Sequence, residues 1–121
     1  MSLPALTAND LLPFIGRLYD RLLADPVMAP FFTGIDLERH VPHIAGFWAM
    51  ALFGEPGYRG DVMAPHLRLH ERSPMGRLHF DRWLHHFDST LDALHSGPKA
   101  DEAKARARSI ASVMLHRIGP A

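Results

Sequence analysis

The 121-residue chain contains no cysteine. That excludes disulfides, thiolate catalysis and sulfur-ligated zinc, and leaves the redox compartment undetermined. It has no excess charge of either sign, since thirteen basic and thirteen acidic residues cancel. No global field therefore draws it to nucleic acid or an anionic membrane. Long apolar runs are missing too. The longest, Phe47 to Phe53 in "FWAMALF", falls far short of the roughly 20 residues that span a bilayer. The opening "MSLPALTAND" has no basic start followed by an apolar segment, so no signal peptide is expected and the cytoplasm is the default location. The length suits one domain, residues 1–121, with a single core. Hydrophobic residues at 47% and charged residues at 21% are ordinary for a globular protein.

Histidine, by contrast, is abundant. His66, His70, His79, His85 and His86 crowd into "MAPHLRLHERSPMGRLHFDRWLHHF", with Trp83 among them. Such a cluster could be surface decoration, a zinc site, an acid–base catalyst or the ligand of a buried cofactor.

The backbone that carries these residues reads as all-α. In residues 9–25, Leu11, Ile15, Leu18 and Leu22 form one apolar stripe, flanked by Leu12, Tyr19 and Leu23. Asn9 or Asp10 serves as N-cap, Pro13 falls in the first turn, and Asp25-Pro26 ends the helix. A second helix spans residues 36–54, with Leu37, Val41, Ile44, Phe47, Trp48 and Leu52 at helical spacing and Gly54 as its stop. Pro42 implies either a start near His40 or a kink. Pro65 opens a helix of one or two turns before Pro74. A long amphipathic helix then places Phe80, Trp83, Leu84, Phe87, Leu91 and Leu94 near a heptad spacing, and "SGP" at 96–98 breaks it. The last helix, about Ala100 to Ile118, turns Ala103, Ala107, Ile110, Met114 and Ile118 inward. No segment alternates with a period of two.

Among the histidines, His66 begins the shortest helix, a segment that buries little and is easily explained if it clamps something. A neutral imidazole is a good iron or zinc ligand. The plain alternative is an exposed loop histidine. His66 with His70 (i, i+4) and His40 with His43 (i, i+3) have chelating spacing, but no third zinc ligand is singled out. His85 and His86 are adjacent and point apart, while His79, His95 and His116 fall on polar or mixed faces and read as solvated. Tyr19 and Trp83 are polar-tipped residues on inward faces. Each is either core bonded to a backbone carbonyl or, if the two converge, a donor aimed at a ligand.

The segments "LYDRLLADPVMAPFF", "HVPHIAGFWAMALFG", "GYRG", "MAPHLRL" and "HFDRWLHHF" together resemble the truncated haemoglobins of group III. The resemblance implies a globin-like, two-over-two helical sandwich around haem b, with the proximal helix cut to about one turn. It implies that His66 is the iron ligand, that Tyr19, His40 and Trp83 form the distal side, and that Phe32 packs on the haem edge. Ile44, Phe47 and Trp48 would be pocket wall. Tyr58, Arg68 and His70 lie near enough in sequence to border the haem. The turn between Phe32 and His40 is short for this group, and "ERSPMGR" looks inserted before "HFDRWL".

A histidine-ligated ferrous haem leaves one axial position open to dioxygen, nitric oxide or carbon monoxide. Distal donors would favour tight retention. The implied protein is a reversible dioxygen-binding haemoprotein, monomeric or weakly dimeric. Its alternatives are a haem enzyme, served by a reductase, for nitric oxide dioxygenation or peroxide chemistry, a zinc-binding or metal-free helical interaction module, and a globin domain that has lost its haem.

Overall fold

In a computed structural model the described residues are 3–58 and 75–118. Four α-helices carry them: α1 (Leu11–Ala24), α2 (Leu37–Phe53), α3 (Arg77–Leu94) and α4 (Pro98–Ile118). Short 3-10 turns at Ala8–Asp10 and Ala29–Phe32 precede α1 and α2. The described residues include no strand, only an isolated bridge between Ala5 and Ser96. α1 packs on both α2 and α3, α3 on α4, and α2 on α4. The chain is thus two helix pairs laid across each other, the expected two-over-two architecture.

The apolar stripe of α1 is what joins the layers. Leu11, Ile15, Leu18 and Leu22 are buried as expected, and Phe14 joins them. Phe14 stands edge to face with Phe87 of α3, centroids 5.1 Å apart at 84°. Such a contact contributes about 0.5–1.5 kcal/mol beyond area burial. Phe87 also meets Trp48 of α2 at 5.1 Å, so one fully buried ring links three helices.

Pro42 neither delays the start of α2 nor splits it. The helix begins at Leu37 and runs through the proline. Its first turn is anchored by the N–H groups of Arg39 and His40, which donate to the Asp36 carbonyl at 3.2 and 2.9 Å. A missing N–H so near the start removes one bond while the rest of the ladder holds. Gly54 ends α2 at φ 68°, in the left-handed region, where a side chain is disfavoured. α4 starts two residues earlier than its expected Ala100, with Pro98 as its first residue. The short helix expected after Pro65 lies outside the described residues.

Polar contacts fix the helices around this core. The Lys99 ammonium donates to the Leu52 carbonyl in the last turn of α2 at 2.6 Å. Arg108 pairs with Asp88, and Lys104 with Asp92 at 2.7 Å, across α3 and α4. His95 reaches the Pro4 carbonyl from Nδ1 at 3.2 Å. It is therefore tucked against the N-terminal segment rather than solvated as expected.

Candidate functional site

Between the helix pairs lies a cavity of about 110 Å³, partly open among the described residues. Its wall is mostly apolar: Met28 and Phe31 before α2, Ile44, Phe47 and Trp48 on α2, Met75 and Phe80 around the start of α3, and Ile110, Ala111 and Met114 on α4. Four polar-tipped side chains interrupt it, namely Tyr19, His40, His79 and Trp83.

Tyr19 is delivered by the edge of the α1 stripe and is 7% exposed. Its hydroxyl lies 2.6 Å from Nε2 of His40, in the first turn of α2. Its ring stands edge to face with both Phe32, at 5.3 Å, and His40, at 5.2 Å. Burial pushes the phenol well above its ordinary pKa, so the proton stays on and the group remains a hydrogen-bond donor. Trp83 projects from α3 and tilts against Phe87 at 5.2 Å. Among the described residues nothing accepts a hydrogen bond from its indole N–H.

The expected wall and distal residues Tyr19, Phe32, His40, Ile44, Phe47, Trp48 and Trp83 therefore border one space. Phe32 does so while packing on Tyr19. His43 is exposed and meets Tyr58 at 5.0 Å. Tyr58 also touches Phe47 at 5.5 Å but does not line the cavity. His66, Arg68 and His70 lie outside the described residues.

His79, which reads as solvated, and His86, which the sequence leaves without a role, both have built contacts instead. His79 lines the cavity, stands 4.9 Å from Phe31, and accepts the Gly76 N–H on Nδ1 at 2.9 Å. His86 is 17% exposed, and its Nε2 lies 2.7 Å from Asp25. Asp25 also accepts from Arg82 Nε at 2.6 Å, Arg82 Nη2 at 3.0 Å and the Val27 N–H at 2.9 Å. Hydrogen bonds from Arg82, then His86, hold its carboxyl far below the usual carboxylate range. The His86–Asp25 partnership has no sequence signal because it depends on chain brought in by the fold, whereas the His79 cap is local, three residues from Gly76. Met28, Phe31 and Met75 escaped notice because they sit in turns with no period. Ile110 and Met114 were legible as an inward stripe, though not as cavity lining.

A two-over-two helical sandwich that keeps an apolar pocket open at its centre, with a phenol and an imidazole paired inside, defines a globin of the truncated class. Comparison with known proteins carries this further. The description of bacterial-like globins matches residues 9–116, and the chain belongs to that family. It is similar to the group 3 truncated hemoglobin ctb of Campylobacter jejuni, with 28% identity over 110 residues covering 84% of each chain. The crystal structure of the group III truncated hemoglobin from Campylobacter jejuni superposes with a TM-score of 0.85 at 24% identity, covering 98% of this chain and 96% of that one. The 2/2 hemoglobin from Synechococcus sp. PCC 7002 gives a TM-score of 0.80 at 25% identity, with 90% and 92% covered. Membership of a globin family implies haem binding.

Proposed function

We propose that the chain holds haem b in this cavity through His66 and binds dioxygen, nitric oxide or carbon monoxide reversibly beside Tyr19, His40 and Trp83. The observation that carries this reading is the 2.6 Å meeting of Tyr19 and His40 inside an apolar space in a chain of the globin family. The residues suit the group, since a porphyrin needs a largely apolar slot and a diatomic ligand needs a few donors on one side. Haem held by the His66 imidazole would supply an iron able to bind a diatomic ligand.

The remaining work falls to the side chains. Tyr19 has a single proton to donate. With its own proton on Nε2, His40 donates to the phenol oxygen, and the Tyr19 hydroxyl is free to turn to a ligand. With that proton on Nδ1, Nε2 accepts from Tyr19 and the hydroxyl is occupied. The tautomer of His40 therefore decides how many donors face the ligand. The Trp83 indole N–H is the second donor. Each bond to a partly charged ligand contributes about 1.5–3 kcal/mol, which slows release by about tenfold or more. Phe31, Phe32, Ile44 and Phe47 exclude water, which strengthens these bonds. Slow release suits sensing, scavenging or redox chemistry better than bulk carriage.

The test is purification with added haemin, followed by an absorption spectrum. A Soret band is expected for the wild type, with an altered and weakened band for His66→Gly. A wild-type protein that stays colourless would overturn the haem reading in favour of a metal-free or zinc-binding helical module. Nitric oxide dioxygenation is a second activity open to the same residues. Stopped-flow mixing of the dioxygen-loaded protein with nitric oxide separates it from simple binding by whether the haem is oxidised.

A further inference from the structure

α3 opens with an unusual cap. The Gly76 N–H donates to Nδ1 of His79, three residues on, at 2.9 Å. A backbone N–H is always a donor, so Nδ1 carries no proton and the proton of the neutral ring sits on Nε2. The ring is held a second time by its edge contact with Phe31, at 4.9 Å and 72°. Among the described residues nothing accepts from Nε2. A fixed donor thus sits on a side chain of the cavity wall, among Phe31, Met75 and Phe80, with its acceptor still open. Nor can His79 serve as a metal ligand through Nε2 while it caps α3, because a ligating nitrogen must be unprotonated. A cofactor that fills the cavity can supply that acceptor.

We propose that His79 donates from Nε2 to a carboxylate on the rim of the bound porphyrin and so fixes how the ring is turned in its own plane. This rests on the haem reading above. The carboxylates are the strong acceptors of a b-type haem, and a hydrogen bond to an ionised acceptor is about twice as strong as a neutral one. One side chain then does two jobs. It closes the first turn of α3 with one nitrogen and holds the cofactor with the other, so that the helix carrying Trp83 and the porphyrin share a reference point.

Two substitutions separate those jobs. Glutamine at this third helical position can accept the Gly76 N–H with its oxygen and still donate with its amide. Glutamate can cap equally well but offers no donor and repels a carboxylate. Haem loss is read as the rate of haemin transfer to excess apomyoglobin, for the wild type, His79→Gln and His79→Glu, each loaded with haemin and again with haemin dimethyl ester. With haemin, His79→Glu should lose the cofactor about tenfold faster than the wild type, and His79→Gln should stay within about threefold. With the dimethyl ester, which has no free carboxylate, the gap between His79→Glu and the wild type should close. Equal loss rates for the wild type and His79→Glu, or a gap that persists with the ester, would overturn the proposal while the Soret bands leave the haem reading standing. A wild type without a Soret band would overturn both.

Discussion

Two histidines of this protein bring Nε2 within hydrogen-bond distance of an oxygen from the α1 region, and the two sites behave oppositely. His86 meets Asp25, a carboxylate that can only accept while ionised and that also takes two bonds from Arg82 and one from Val27. The proton on His86 Nε2 therefore has one possible owner, and the arrangement is overdetermined. His40 meets Tyr19, and either partner can donate to the other. Three bonds from Arg82 and His86 to one carboxylate make a clamp that ties the end of α1 to α3. Between two groups that both give and take, chemistry alone does not fix which one donates. The pair with a fixed proton lies outside the cavity lining and the pair with an interchangeable one lies within it.

The strongest way to break this contrast is at the clamp. Asp25→Asn should produce the larger fall in stability, with the thermal midpoint dropping by several degrees in calorimetry, because Arg82 and His86 lose the charge that holds them. The sign of its pH dependence follows from the depressed carboxyl. Its contribution is complete above the ordinary value of about 3.9 and declines as pH falls below that value toward the lower folded one. The gap between wild type and Asp25→Asn should accordingly narrow between neutral pH and pH 3. A gap that stays constant would show that ionisation of Asp25 is not its source.

At the other site the expected effect is kinetic. Tyr19→Phe should speed release of dioxygen by about tenfold or more while the thermal midpoint stays within a few degrees, as measured by stopped-flow ligand displacement and calorimetry. If release is unchanged, the phenol stays engaged with His40 when ligand is present, and the comparison loses its functional half. An effect on stability alone belongs to a position remote from both. Gly54→Ala should reduce stability by about 1–2 kcal/mol in denaturant titration, through its positive φ alone. Space is open around a Cβ there, and ligand release should not change.

Helix period made the architecture readable, because each long helix buries a stripe that repeats along the chain. The same logic placed Tyr19 and Trp83, whose polar tips lie on otherwise apolar faces. It failed for Asp25, which reads only as a helix end, and for His86, which reads only as pointing away from His85. Those residues are 61 positions apart in sequence and meet only because α1 packs on α3. His79 was missed for a different reason. Its role depends on which ring nitrogen faces the helix cap, and a one-letter code carries no tautomer. Pro42 looked like a boundary because a proline's penalty depends on how close it sits to the helix start, and that start was set by Asp36.

Ala111 of α4 reaches the cavity with a single methyl group, and it follows Ala100, Ala103 and Ala107, all buried at the same seam. Such a row lets neighbouring backbones draw close, so the bore of the chamber is governed at this point by the smallest side chain that still has a stereocentre. One substitution here would trade room for ligand against contact between helices. Evolution therefore has a lever for altering what fits inside without disturbing the residues that hold it.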